Sequence, residues 1–122
     1  MKQKVHSVSY LAKAEFEFKN GVYDLVALPT GAEVVKVSLE VVGNLLETVS
    51  VSVGFKDETI KNYFLTLEHN TSLKYATSAK DYTATSNKVV VAEVKNAVAT
   101  EINTKGVLRV LYFLPSVIEV EY

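Results

Sequence analysis

The sequence predicts a single all-β domain, a two-sheet antiparallel β-sandwich of about eight strands. Three observations lead there. Apolar and polar residues alternate with period two along most of the chain, which puts successive side chains on opposite faces of a strand. Turn residues recur at intervals of roughly ten, the spacing of sandwiches and small barrels. Alternating β and α units are absent, which argues against doubly wound and TIM-type enzyme folds. At 122 residues the chain suits one core, so residues 1–122 read as one domain, with 1–10 a candidate N-terminal arm.

The elements follow in order. Ala14, Phe16 and Phe18 alternate with Lys13, Glu15, Glu17 and Lys19, and Asn20-Gly21 then predicts a tight hairpin into a return strand, Val22 to Leu28. Pro29-Thr30-Gly31 breaks the ladder. Beyond it Val35, Val37, Leu39 and Val41 face one way and Lys36, Ser38 and Glu40 the other, as far as Gly43-Asn44. Val49, Val51, Val53 and Phe55 then alternate with Thr48, Ser50 and Ser52, a hydroxylated face suited to a second sheet or a neighbouring subunit. Ile60, Tyr63, Phe64 and Leu67 fall at i, i+3, i+4 and i+7 behind Asp57, which predicts one short helix near 57–67 with Asp57 as its N-cap.

Residues 69–87 are rich in Ser, Thr, Asn and Lys without sustained period, and read as the long loop of the domain. Loops of that length in compact domains usually carry function, so partner binding is assigned to Tyr75 and Tyr82 as anchors, with Asn70, Lys74, Lys80 and Asp81 beside them. Lys88 to Val94 is β-branched and strand-like. Val107 to Leu114 is apolar on both faces and belongs in the centre of a sheet. After Pro115, residues 117–122 alternate again, which predicts a C-terminus pinned in a sheet. The expected core includes Phe16, Val37, Val51 and Leu111.

Composition excludes several chemistries. Net charge is −1, and Arg109 is the one arginine among thirteen basic residues, which disfavours nucleic-acid binding. The absence of cysteine removes disulfides, thiolate metal sites and a cysteine nucleophile. His6 and His69 have no second ligand at metal spacing, so no metal or cofactor is expected. Glu15/Glu17 and Glu119/Glu121 each share a strand face opposite apolar residues and read as solvated outer faces rather than catalytic pairs. Gly-x-Ser-x-Gly and Ser-x-x-Lys are missing, so no enzyme is expected. No apolar run reaches the ~20 residues of a membrane helix. The segment Met1 to Ser7 lacks a signal-peptide core, so the chain is expected to stay in the cytosol where it is made.

One stretch carries a family likeness. Leu25-Val26-Ala27-Leu28-Pro29-Thr30-Gly31 leads into the valine-rich strand Val34 to Val42, then Val51-Ser52-Val53-Gly54-Phe55, a variable segment and Gly106-Val107-Leu108-Arg109-Val110-Leu111-Tyr112. This resembles the small β-sandwich decoration (cement) proteins of tailed bacteriophages. The resemblance implies a jelly-roll-like virion protein, commonly a homotrimer, on the capsid exterior, with the major capsid protein as partner and no catalytic residues. Two other readings stand beside it: a tail, baseplate or head-fibre module stacking host-surface carbohydrate on Tyr75 and Tyr82, and a sandwich enzyme using Asp57, Glu58 and His69.

Overall fold

The computed structural model describes residues 1–44, 48–68, 74–97 and 104–121. These contain eleven strands and no helix: β1 Lys2–His6, β2 Ser9–Glu17, β3 Gly21–Leu28, β4 Glu33–Val42, β5 Ser50–Phe55, β6 Leu65–Glu68, β7 Tyr75–Ser78, β8 Tyr82–Thr83, β9 Lys88–Lys95, β10 Lys105–Phe113 and β11 Val117–Glu121. They form three sheets, not two. A five-stranded sheet runs β2-β10-β4-β7, with β8 also on β4; a four-stranded sheet runs β3-β9-β5-β6; β1 and β11 make a separate ribbon. Every pairing is antiparallel.

The apolar faces of the two larger sheets share one core, in which Val34, Val37, Leu39, Leu108 and Val110 join Leu28, Val51, Val53, Val90 and Val94. β10 lies between β2 and β4 as its apolar sequence requires, because a strand bonded on both edges is shielded on both sides. Leu111, expected in the core, is instead on the outer face of this sheet, half-buried opposite Leu11 and Lys36, while Leu108, Val110 and Tyr112 point inward. In an all-apolar strand the pattern cannot say which parity faces the core.

A bulge makes the second correction. Leu111 pairs with Lys36 but Tyr112 with Val34, so Val35 is skipped and Val34 rather than Val35 is buried. The predicted hairpin at Asn20-Gly21 is a third. β2 belongs to the five-stranded sheet and β3 to the four-stranded one, so the turn is an arch between sheets. Asn20 Oδ1 accepts from Ala97 N (2.8 Å), tying the arch to the segment after β9, and the Phe16 ring stacks on Tyr23 across it (5.7 Å).

The helix expected at 57–67 does not form. Ile60 is 70% exposed while Phe64 and Leu67 are buried, so the four apolar residues do not share a face. Asp57 pairs with Lys88 rather than capping a helix, and Phe64 N donates to Val53 O (2.9 Å), drawing the segment into line for β6. The loop expected at 69–87 is partly strand, because β7 and β8 pair with β4 and supply part of the surplus over eight strands. Thr104, a buried polar residue, is satisfied through its hydroxyl, which donates to Asn44 O (2.6 Å).

Candidate interaction surfaces

The residues assigned to partner binding do not form one patch. Asn70 lies outside the described residues. Tyr75 sits on β7 opposite Glu40, 66% exposed on the outer face of the five-stranded sheet, and exposed Lys74 precedes it with its carbonyl accepting from Val41 N (2.8 Å). Tyr82 is on β8 opposite Val34, six positions farther along β4 and so roughly 20 Å away at strand rise. It faces the core side, half-buried, with Phe55 at 4.6 Å and Tyr63 at 5.4 Å between ring centroids. Lys80 lies over the Tyr63 ring at 3.7 Å, a cation–π contact, and Asp81 is exposed next to it. Tyr75 and Tyr82 are therefore at different levels and on opposite faces of the sheet.

The outer face around Tyr75 holds a groove of about 390 Å³ lined by Lys36, Ser38, Glu40, Tyr75, Thr77 and Arg109. Cross-strand registry builds it. Lys13, Arg109, Ser38 and Thr77 form one row across β2, β10, β4 and β7, and Glu15, Val107, Glu40 and Tyr75 form the next. Arg109 Nη1 donates to Glu40 Oε1 (3.0 Å), both side chains about one-third exposed, and Lys105 pairs with Glu15 (3.2 Å). Val107, flanked by these charged residues, is 3% exposed although it points away from the core. Arg109 stands alone as a cation in an apolar run; its placement opposite a glutamate needed the register.

The second surface is the terminal ribbon. After Phe113 the pairing of β10 with β2 continues through a Leu114 N to Val8 O bond (2.8 Å), and β11 then pairs with β1 from Val117↔His6 to Glu121↔Lys2. Thus the C-terminal strand is held by the N-terminal arm rather than by either large sheet. Five residues a strand give a ribbon of roughly 17 Å. Lys2 pairs with Glu119 (3.8 Å) on one face, while Val5 and its cross-strand partner Ile118 are 37% and 58% exposed on the other. His6 Nδ1 donates to Leu114 O (3.1 Å) at its root.

At the opposite end of β9 from the arch, Lys88 Nζ meets Asp57 Oδ2 at 2.6 Å with the Lys88 side chain only 18% exposed. The Lys88 hydrogen bond holds the Asp57 carboxyl below its ordinary value of 3.8, and the same bond raises Lys88. A carboxyl lowered in the folded state contributes stability above its unfolded pKa and loses it as pH falls through the lower folded value. Asp57→Asn is therefore expected to be less stable than the parent at neutral pH, with the difference closing only below pH 3.8. Thermal unfolding of both proteins across pH checks this; a gap that closes well above that value contradicts the pairing.

Comparison with solved structures decides the family. A chain of the acidic stable capsid structure of Helicobacter pylori bacteriophage KHP30 superposes with a TM-score of 0.92 and 76% identity, covering 100% of both chains. The chain belongs to that bacteriophage capsid-associated family. A chain of the cyanophage Pam1 capsid asymmetric unit, at a TM-score of 0.69 and 21% identity over 88% of this chain and 85% of that one, shares the fold. No protein-family model and no curated protein matches.

For a capsid-associated chain the surfaces that matter are faces and edges rather than a cleft of reactive groups. Among the described residues no three His, Asp or Glu side chains converge as metal ligands. Sequence reasoning singled out Tyr75, which the fold leaves exposed, but missed the groove beside it and the pairing of the two terminal strands. Both arise from residues far apart in the chain, Arg109 with Glu40 and Val5 with Ile118. The one local signal was Arg109 itself, a charge in the middle of a strand otherwise apolar.

Proposed function

We propose that this protein is a decoration protein that binds the outside of a phage capsid and stabilises the lattice of major capsid subunits, acting without catalysis as a homotrimer assembled in the host cytoplasm. The observation that carries the reading is the full-length, 76% identical match to a chain of a capsid structure. The strand order supports it. Taking β2, β3, β4, β5, β6, β7, β9 and β10 as eight successive strands, the first, eighth, third and sixth make one sheet and the second, seventh, fourth and fifth the other, the order of a jelly-roll sandwich. β8 and the terminal ribbon are additions to it. Exposed apolar residues on the ribbon and beside the groove offer surface for burial between subunits.

A protein that binds assembled lattice in preference to free subunits stabilises the lattice by mass action. Capsids lacking this chain, mixed with the purified protein, are expected to sediment with it and to dissociate at a higher temperature than undecorated capsids. Light scattering on the free protein should give the mass of three 13.5 kDa chains. A protein that leaves capsid dissociation unchanged at saturating concentration sinks the proposal.

A further inference from the structure

The cations of this molecule are unevenly matched. On the side of the four-stranded sheet Lys56 pairs with Asp24 (2.7 Å), Lys88 with Asp57 (2.6 Å) and Lys95 with Glu93 (3.6 Å). On the outer face of the five-stranded sheet Lys13 and Lys36 are exposed and make no ion pair among the described residues. Arg109, across from Lys13 on β10, gives Nη1 to Glu40 and has further N–H donors in its planar fork. Ser38 and Thr77 add hydroxyl donors to the same row. Glu15, Glu17, Glu33 and Glu40 balance the cations of the face as a whole. The adjoining rows of Arg109 and Leu111, however, hold Lys13, Arg109 and Lys36 with no carboxylate, a local excess of positive charge with exposed Leu11 and Tyr75 on either side of it.

We propose that this groove and the adjoining part of β2 dock a carboxylate-bearing segment of a capsid subunit, with Arg109 and Lys36 of the groove receiving an acidic side chain, Lys13 of β2 a second, and Tyr75 and Leu11 packing on the segment's apolar part. The assignment rests on the decoration reading above and names the chemistry of the partner. A guanidinium already holding one carboxylate in partial burial is geometrically set for another, since the fork accepts two at different edges. Glu15 and Glu40 in the adjacent row disfavour a continuous phosphate backbone, whereas a discrete acidic side chain can reach the cationic rows past them. Fixed positive charge facing acidic residues also steers encounter, so binding should weaken as salt rises.

The test is co-sedimentation with capsids lacking this chain, over a salt series. Three proteins are compared: the parent, Lys13→Glu/Lys36→Glu, and Lys56→Glu/Lys95→Glu, which carries the same change in net charge on the opposite side. Circular dichroism verifies folding. All of the substituted side chains are on the surface, where substitutions rarely unfold a domain. The first double variant is expected to bind on the order of tenfold or more weakly, the second close to the parent, and parental binding to fall with added salt. Equal loss in both variants, or none in the first, overturns the assignment while leaving capsid binding intact. Loss accompanied by a change in oligomeric state overturns it too, because a second copy then occupies the face. A parent that does not bind capsids removes both this assignment and the decoration reading.

Discussion

Phe55→Ala is expected to lower the unfolding free energy by about 3–5 kcal/mol, the range for deleting a buried phenylalanine. Phe55 ends β5, is 2% exposed, and forms the hub of an aromatic cluster with Tyr63 at 5.1 Å, Phe64 at 5.3 Å and Tyr82 at 4.6 Å. The neighbouring rings come from two chain segments pinned to different sheets. Tyr63 and Phe64 precede β6 of the four-stranded sheet, and Tyr82 belongs to β8 on β4. They cannot close the void together without moving both sheets, so a cavity remains and the loss stays at the upper end. Since small domains have only 5–15 kcal/mol in total, a large fraction of stability goes with one ring. Urea unfolding followed by circular dichroism measures it, with Tyr75→Ala as a control expected within about 0.5 kcal/mol. A loss under about 1 kcal/mol would mean that the cluster repacks.

The second large effect is at Gly54. A Cβ there would fall 2.7–2.8 Å from backbone atoms of Lys61, Asn62 and Tyr63. Backbone cannot rotate aside as a side-chain end can, so Gly54→Ala must lift the connection between β5 and β6 off the sheet. That movement strains the Phe64 N to Val53 O bond and withdraws Tyr63 and Phe64 from Phe55. The expected cost is about 1–3 kcal/mol, as for other overpacked sites. Because both substitutions act on one cluster, the double variant should lose less than the sum of the single losses. An additive result would show that the connection and the cluster are independent. Gly21 offers the contrast in space, since a Cβ there meets only the Tyr23 ring at 3.9 Å.

Much of the architecture is legible before any coordinates. Period two was enough for β2, β4 and β5, each of which buries one face, while the turn at Asn20-Gly21 marked β3 and β-branched content marked β9. Val107 to Leu114 declared itself a central strand by having no polar face. The errors share a cause. Asn20-Gly21 reads as a hairpin because the turn is local, yet which sheet receives the next strand depends on where Phe16, Phe18 and Tyr23 find partners. Ile60, Tyr63, Phe64 and Leu67 mimic a helix only in spacing; Tyr63 and Phe64 are held by Phe55 from outside their own segment.

The interaction surfaces divide the same way. Tyr75 was identifiable as an exposed aromatic in a polar stretch, but the groove beside it is made from three strands, β4, β7 and β10, that meet only through pairing. Tyr82, equivalent to Tyr75 by composition, turns inward because its partner on β4 is Val34, which the bulge at Val35 brings to the core side. The terminal ribbon joins residues more than a hundred positions apart. Composition and alternation alone established an antiparallel β domain, since both depend only on residue type and parity. Which face each strand presents, which sheet it enters and which charges stand unpaired were decided by register and sheet crossing, quantities set by contacts between segments and carried by no segment alone.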